Sequence, residues 1–197
     1  MITSKADYIL YLREDKRANI NLDGTFWGGV IKYWAKAIIK TDDYRAYSVC
    51  KALRKYEYVL NCLPNNIIGK IYKGFFHFKF HRKCIQCNIF IRPNTVGYGL
   101  KIQHLIGGGA RIGANKIGNY FSIRQYTTVG KANGDACPVI GNNVTLGANV
   151  TIIGDITIGD NCIIGAGAVV VKDIPANSIV VGNPGRIIGK KIAGKQY

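Results

Sequence analysis

The sequence predicts a mainly β fold, a parallel β-helix solenoid preceded by an α-helical cap, because a six-residue repeat runs from Ile140 to Ile174. An aliphatic residue recurs at every sixth position, and a second aliphatic or small series follows four residues later. The first series is Ile140, Leu146, Ile152, Ile158, Ile164 and Val170, and the second is Val144, Val150, Ile156, Cys162, Ala168 and Ile174. A period of six fits neither an α-helix nor a plain strand, whereas hexapeptide periods are typical of β-helices.

Three hexads make one triangular coil of about 18 residues, and successive coils stack about 4.8 Å apart. The aliphatic residues turn inward on each flat face, while Gly, Asn and Asp occupy the corners. We expect this solenoid to span residues 89–182, with a helical region at 1–88 and a basic tail at 183–197.

The helical region is predicted from apolar residues at helical spacing between Phe26 and His81, whereas residues 1–25 are polar and remain unassigned. A segment from Ile67 to Phe80 interleaves lysines with aromatic and aliphatic residues. This pattern favours a helix packed on its neighbours with solvated lysines. Docking on a membrane surface is the alternative, since basic amphipathic helices bind there.

The repeat is interrupted twice, and both interruptions are candidate functional segments because loops on a regular scaffold often carry function. Ile112 lies only five residues before Ile117, just after the run Gly107-Gly108-Gly109. Between residues 130 and 138 the repeat stops, which predicts a loop projecting from one corner of a coil.

Charge and apolar content limit the classes of partner. The net charge of +16 attracts polyanions, including phosphate-bearing cofactors, acidic glycans and anionic lipids. Apolar runs fall short of the roughly 18–20 residues of a membrane span, and Met1 to Tyr11 contain no signal-peptide core. We therefore expect a cytoplasmic protein, with the inner face of the membrane as an open location. The six cysteines are too irregularly spaced for a disulfide framework.

His104 is the candidate catalytic residue, because it is the one histidine in the repeat region and lies beside the glycine run. A surface histidine without a catalytic role would fit the same position. A second pattern, His77-x3-His81-x2-Cys84-x2-Cys87, has the composition of a zinc site. Four ligands so close together on a helix can hardly surround one tetrahedral ion, so no metal is expected.

Several segments together resemble the left-handed β-helix acyltransferases, and among them the serine acetyltransferase-like branch. These segments are Val96 to His104, Ile123 to Gly130, Pro138 to Gly159 and Ile164 to Ala168, within about residues 91–190. The resemblance implies a homotrimer, acetyl-CoA bound in the groove between neighbouring solenoids, and His104 as general base. A neutral imidazole can remove the proton of a hydroxyl as it attacks a thioester. A backbone N–H near the glycine run is the expected oxyanion donor.

The sequence departs from serine acetyltransferases where the resemblance assigns serine binding. Gln103 stands in place of the Asp before the histidine, Ala136-Cys137 in place of an Arg-His pair, and Phe90 in place of the Asp that orients the base. Loss of the cationic clamp disfavours an amino-acid carboxylate. These features are closer to the colanic-acid, capsule and O-antigen O-acetyltransferases. Gln103, Asp135 and Cys137 are therefore the expected acceptor-binding residues. The group that orients His104 stays open, with Asp135 and a backbone carbonyl as the two candidates.

The resemblance also places small residues against the pantetheine arm of coenzyme A and cations near its phosphates. The small residues are Gly147, Ala148, Gly165, Ala166 and Gly167, and the cations are Lys172, Arg186 and Lys190. Backbone amides approach a ligand closely at such small residues, and Arg suits phosphate geometry.

Three functions are consistent with these observations. The favoured one is acetyl-CoA-dependent O-acetylation of a sugar, free or lipid-linked, in a surface polysaccharide or its precursor. The second is serine O-acetylation for cysteine biosynthesis. The third is a non-catalytic basic scaffold. Peripheral contact with an anionic membrane surface stays open, and no nucleic acid partner is expected.

Overall fold

The computed structural model describes residues 1–20, 26–39, 41–105, 108–132, 134 and 136–191, without the side chains of 26–32. Helices come first in the chain and short strands follow. The helices are α1 (Lys5–Asn19), α2 (Phe26–Ile39), α3 (Asp42–Cys62) and α4 (Ile67–Gln86). None of the described helices is long and apolar enough to cross a membrane.

The strands form three sheets, which are parallel except for the β13–β14 pair, make the flat faces of a solenoid and are named here A, B and C. Face A contains β1 (Ile89–Ile91), β3 (Ala110–Ile112), β6 (Thr128–Gly130), β9 (Thr151–Ile153) and β12 (Val169–Val170). Face B contains β4 (Lys116–Ile117), β7 (Val139–Ile140) and β10 (Thr157–Ile158). Face C contains β2 (Lys101–Ile102), β5 (Ser122–Ile123), β8 (Thr145–Leu146), β11 (Ile163–Ile164), β13 (Ser178–Val181) and β14 (Arg186–Lys190).

The solenoid core consists of the two residue series that the hexad repeat identified. Every member of both series is buried, from Ile140 to Val170 in the first and from Val144 to Ile174 in the second. Burial of aliphatic side chains on all three faces is the main source of stability in such a fold. The predicted β-helix with a helical cap is confirmed.

The two interruptions of the repeat lengthen two coils. Ile89 pairs with Ala110 of the next coil, 21 residues further on, and Thr128 pairs with Thr151, 23 residues further on. By contrast, Thr151 pairs with Val169 after the regular 18 residues. The extra residues of the first long coil follow β2, and those of the second follow β6.

The extra residues lie at two of the three corners where the flat faces of the solenoid meet. The His104 corner joins face C to face A and comprises residues 103–105, 108–109, 124–127, 147–150 and 165–168. The loop corner joins face A to face B and includes residues 131–132, 134 and 136–138. Strands of face A run from the first corner to the second, so the two corners bound that face.

A charged network under the first coil holds the helices to the solenoid. Arg54 is fully buried, with its Nε 2.7 Å from Asp15 Oδ2 and its Nη1 2.9 Å from Glu57 Oε2. Arg54 also donates to the carbonyl oxygens of Val96 and Gly97. Burial works against its charge, but the two carboxylates outweigh that effect and raise the pKa of Arg54.

The same helices pair with backbone groups of the first coil, which has no earlier coil beneath it. Asp15 Oδ1 accepts from Leu100 N at 2.9 Å, and Glu57 Oε1 accepts from Asn94 N at 2.7 Å. The Asn19 amide accepts from Ile102 N and donates to Leu100 O. Because an uncovered sheet edge is a site of unwanted pairing, these side chains complete the solenoid at its first end.

Three sequence predictions change at the level of the elements. Helix α1 lies in the polar segment that the sequence left unassigned. Helix α4 is only half packed, because Phe80 and Cys84 are buried while Ile71 and Phe75 on its other side are exposed. Residues 186–190 of the expected tail form β14, which pairs antiparallel with β13.

Candidate active site at one corner of the solenoid

His104 is exposed at the His104 corner, two residues after β2 ends at Ile102. Its φ is 62°, and Tyr126, Asn149 and Gly167 take the same left-handed conformation at this corner in later coils, with φ of 60°, 57° and 71°. A non-glycine residue rarely adopts this conformation, although histidine does so more often than most. The turn therefore points an imidazole outward from the corner.

Gln103 hydrogen-bonds to the neighbouring coil and not to the His104 imidazole. Its N–H donates to Ile123 O at 3.0 Å, and Arg124 Nε donates to its side-chain oxygen at 3.4 Å. Among the described residues, none hydrogen-bonds to the His104 ring. Asp135, one of the two candidates for orienting it, lies outside the described residues. The ring orientation is therefore not fixed by the described part of one chain.

The glycine run makes room for an aromatic ring at the same corner. A Cβ on Gly108 would overlap the Tyr126 ring, and Tyr126 N donates to Gly109 O at 2.6 Å. Gly107 lies outside the described residues. Sequence analysis missed Tyr126 and Arg124, although the pairing of Ile102 with Ile123 places both in the coil above His104.

The small residues assigned to coenzyme A lie together, and they lie at the His104 corner. Gly147 and Ala148 belong to one coil, and Gly165, Ala166 and Gly167 to the next. A Cβ on Gly147 would come within 2.5 Å of Ala166 N, and Gly167 N donates to Ala148 O at 2.9 Å. The corner thus carries a narrow strip of five small residues, of which Ala166 and Gly167 are exposed and Gly147 is buried, and we call this strip the glycine ridge.

The three cations assigned to the phosphates do not come together in one chain. Arg186 begins β14 opposite Val181, at the end of face C nearest the glycine ridge. Lys190 pairs with Ser178 at the far end of face C, and Lys172 follows β12 toward the loop corner. Within one chain, only Arg186 of these three cations neighbours the ridge.

The loop expected to contact the acceptor lies at the other end of face A from His104. Cys137 is only 3% exposed, so within one chain its thiol presents almost no surface to an acceptor, and its role as a binding residue stays a prediction. Ala136 beside it is partly exposed. One chain therefore does not bring the described part of the loop to its own His104.

A groove of about 660 Å³ lies on face A between the end of α4 and the His104 corner. Phe90, Arg111, Tyr126 and Asn149 line it. The Arg111 guanidinium lies 4.8 Å from the centre of the Phe90 ring. Phe90, at the position where the resemblance expects an Asp, thus forms part of an apolar and cationic surface.

The His-Cys pattern on α4 is dispersed in the structure. His77 packs against Tyr56, while Cys84 and Cys87 are buried. Burial raises the pKa of Cys84 to about 12, which disfavours the thiolate that zinc requires. Among the described residues, no group of three or more His, Cys, Asp or Glu side chains could hold a metal ion.

Comparison with known proteins finds sequence relatives of the solenoid segment. Residues 137–172 match the family described as bacterial transferase hexapeptide, six repeats. A protein of Oryza sativa subsp. japonica named for serine acetyltransferase 2 is 50% identical over 100 residues, 49% of this chain and 28% of that protein. The colanic acid biosynthesis acetyltransferase WcaB of Escherichia coli K12 is 46% identical over 96 residues, 47% of this chain and 58% of WcaB.

The fold extends beyond the matched sequence segment. Serine acetyltransferase from Brucella abortus, solved in complex with coenzyme A, superposes with a TM-score of 0.67 at 23% identity. The superposition covers 95% of this chain and 70% of that protein, so it includes the helices as well as the coils. The solenoid of this chain is therefore a left-handed β-helix with the fold of the serine acetyltransferase structure, and its residues 137–172 carry the hexapeptide repeats of the transferase family.

Proposed function

We propose that this chain is an acetyl-CoA-dependent O-acetyltransferase that acetylates a sugar hydroxyl of a surface polysaccharide or its precursor. One observation carries the proposal: the exposed imidazole of His104 and the glycine ridge occupy the same corner of the solenoid. A general base and a strip of small residues for a thioester donor are thereby aligned along one edge. The coenzyme A complex of the Brucella neighbour and the acetyltransferase names of the relatives support the donor.

The proposed reaction needs one base and no covalent enzyme intermediate. His104 takes the proton of the acceptor hydroxyl as its oxygen attacks the thioester carbonyl carbon. Backbone N–H groups near the glycine run hold the oxyanion of the tetrahedral intermediate. When the C–S bond breaks, His104 returns the proton to the sulfur, which leaves free coenzyme A and an acetyl ester.

A sugar acceptor is supported by residues that do not suit a free amino acid. Gln103 faces Arg124, Phe90 replaces a carboxylate, and Ala136 offers no charge for an acceptor carboxylate. Aromatic and amide side chains are compatible with a neutral polyhydroxyl compound, and the relative WcaB is named for a polysaccharide pathway. Gln103, Asp135 and Cys137 remain the proposed acceptor contacts.

Serine O-acetylation is the second candidate, and a specific observation favours it. The rice relative is named for that activity and is 50% identical over the solenoid segment. The chain spans about half or less of the length of these two relatives. Both the acetyltransferase activity of the whole protein and the identity of its acceptor are therefore proposals.

A homotrimer completes the proposal, since the loop corner and the His104 corner of one chain lie apart and a neighbouring copy would bring them together. Lys172, which follows β12 toward the loop corner, would then face coenzyme A from a neighbouring chain. We propose a cytoplasmic location, and the net charge of +16 supports approach to an anionic membrane surface that carries a lipid-linked acceptor.

The testing experiment is acetyl-CoA consumption with free serine and with a panel of sugars and oligosaccharides. We expect turnover on a sugar, and a loss of about 10²–10⁴-fold in His104→Ala, the usual contribution of a general base. His77→Ala is the matched control, because His77 is an exposed histidine on α4 away from the corner. Equal rates in wild type and His104→Ala contradict the base assignment, and efficient turnover on serine replaces the sugar with the second candidate.

A further inference from the structure

Face C carries a line of aromatic and polar side chains on its outer surface. Strand β5 lies in this face, and alternate residues of an extended strand point to opposite sides. Phe121 and Ile123 are fully buried, whereas Tyr120 is 50% exposed, Ser122 is partly exposed and Arg124 is exposed. These three outer side chains therefore run from the corner between faces B and C to the His104 corner.

The strand of the preceding coil adds two polar side chains to this surface. Lys101 is exposed and pairs with Ser122, and the partly exposed Gln103 accepts from Arg124 Nε at 3.4 Å. We name the five residues the face C row: Lys101, Gln103, Tyr120, Ser122 and Arg124. The row ends beside the candidate base, because His104 directly follows Gln103 in the chain.

Tyr120 occupies a backbone position that suits glycine or asparagine better than tyrosine. Its φ is 56°, and the residues at the same corner of the adjoining coils are Gly99, Asn143 and Asn161, with φ of 75°, 54° and 59°. A bulky residue rarely adopts this left-handed conformation, and such strain is concentrated at functional sites. The tyrosine is therefore better explained by a contact of its ring than by the turn.

Two neighbours fix the Tyr120 ring while leaving it half exposed. A Cβ on Gly99 would come within 2.5 Å of the ring Cδ1 atom, so the ring lies close against the backbone there. The Tyr98 ring packs edge-on against it, with ring centres 5.4 Å apart. A fixed tyrosine ring provides amphipathic contact area at a low cost in conformational entropy. Its exposed side can pack against the C–H groups of a sugar ring.

The row ends at a recess beside Tyr120. A groove of about 410 Å³ lies on face B, and Asn119 and Asn142 line it. Asn119 Oδ1 accepts from Tyr98 N at 3.2 Å, and among the described residues none accepts from the Asn119 amide nitrogen. That nitrogen can donate to a sugar hydroxyl, so the recess can hold the far end of a chain of sugars.

The charge of the first two coils favours an acidic ligand. Residues 89–130 contain no Asp or Glu and five basic residues, which are Arg92, Lys101, Arg111, Lys116 and Arg124. Within the described part of the chain, neither Lys101 nor Arg124 forms an ion pair. A guanidinium binds a carboxylate through two parallel hydrogen bonds. A carboxylate-bearing chain of sugars matches both the cations and the aromatic ring.

We propose that the face C row binds an acidic polysaccharide over several sugar units, with Tyr120 against a sugar ring and Lys101 and Arg124 against carboxylates. This inference rests on the proposed function, in which His104 acetylates one sugar of the chain. The acetylated unit lies at the His104 corner, and its neighbours in the chain carry the negative charge. The row thus extends the acceptor site across face C.

Coenzyme A is the competing ligand for the two cations, because its phosphates are anionic. The glycine ridge assigned to it belongs to later coils, from Gly147 to Gly167. A phosphate also gives no reason for a half-exposed tyrosine at the far corner. The position and the composition of the row together favour a glycan.

The first test measures hexasaccharide binding by isothermal titration calorimetry without acetyl-CoA. The acidic probes are hexasaccharides of hyaluronan, galacturonate and mannuronate, and the neutral probe is chitohexaose. We expect wild type to bind an acidic probe about tenfold more tightly than chitohexaose, and Arg124→Gln to lose that preference. The control Lys70→Gln removes the same charge at an exposed position of α4 and should keep it. No preference for any acidic probe overturns the row, and so do equal losses in the two variants.

Tyr120→Asn separates the ring from the turn, because asparagine occupies this corner in the next two coils. We expect this variant to melt no lower than wild type and to bind the preferred acidic probe about fivefold more weakly. Tyr120→Phe keeps the ring and should bind like wild type. Wild-type affinity in Tyr120→Asn contradicts the row, as does a Tyr120→Phe variant that binds no better than Tyr120→Asn.

Steady-state kinetics separate this inference from the proposed function. Arg124→Gln should raise the KM for an acidic acceptor, whereas a rise only in the KM for acetyl-CoA assigns the cation to the coenzyme and overturns the row. Binding as expected without acetyl-CoA consumption on any sugar contradicts the proposed function and leaves the row standing. Turnover on neutral sugars without binding of any acidic probe contradicts the row and leaves the proposed function standing.

Discussion

At the scale of single residues, the conformation of His104 was outside the reach of sequence analysis. The histidine itself was identified from its place in the chain, but its left-handed φ appears only when the corner residues of successive coils are compared. Its neighbours Arg124 and Tyr126 were missed because the first coil is longer than the hexad period. Register in the first coils, rather than residue type, was the missing information.

The burial of Cys137 could not be predicted from the sequence for a related reason. Motif alignment placed it where a polar pair contacts the acceptor, but packing at the loop corner buries it. A small apolar thiol is commonly buried in this way. Alignment therefore indicated the loop without giving the direction of its side chains.

Arg54 gives the residue-scale prediction. Arg54→Met should lower the free energy of unfolding by about 3–5 kcal/mol, because it leaves the buried Asp15 and Glu57 carboxylates without a counter-charge. Chemical denaturation followed by circular dichroism measures the change. Arg13→Met is the control, since Arg13 is largely exposed in its pair with Glu14. A loss equal to that of the control would contradict this account.

At the scale of elements, sequence periodicity identified the helices and strands that bury apolar residues. Helices α2, α3 and α4 and the regular coils were predicted for that reason. Helix α1 was not, because its buried side includes Glu14, Asp15 and Asn19, of which Asp15 and Asn19 bond to the first coil. The Ser4 N-cap, which accepts from Asp7 N at 3.1 Å, was the available signal for its start.

The glycine ridge gives the element-scale prediction. Gly147→Ala should destabilise the protein by about 1–3 kcal/mol, since its Cβ would press on backbone atoms of Ala166 that cannot move aside. It should also raise the KM for acetyl-CoA under the proposed function. Gly130→Ala is the matched control, because a Cβ there meets no atom within 4 Å. Thermal denaturation and steady-state kinetics measure the two effects, and identical behaviour of both variants would count against the ridge.

At the scale of the whole molecule, burial sets how stability responds to alkaline pH. Burial raises the pKa of Cys84 from 9.0 to about 12 and that of Tyr47 from 10.0 to about 12. The unfolded chain releases these protons at lower pH than the folded chain does. The stabilisation is therefore present below about pH 9 and is lost as pH rises toward 12.

The corresponding prediction is a decline in the urea midpoint between pH 8 and pH 11, about the range over which unfolded thiols and phenols ionise. The decline should be smaller in Cys84→Ala than in wild type. Cys62→Ala, at a partly exposed cysteine, should keep the wild-type slope. An unchanged slope in Cys84→Ala would show that other groups control the alkaline response.

The buried network under the first coil also determines where the β-helix begins. The unpaired backbone N–H and C=O groups at the open edge of a coil can pair with any strand of similar shape, including one from another molecule. Asp15, Asn19, Arg54 and Glu57 use those groups at the first end. The helices thus act as an initiation block that makes head-to-tail fibre growth unavailable. Without these helices, the backbone groups of the first coil would be free to pair with a coil of another molecule, and chains could stack end to end.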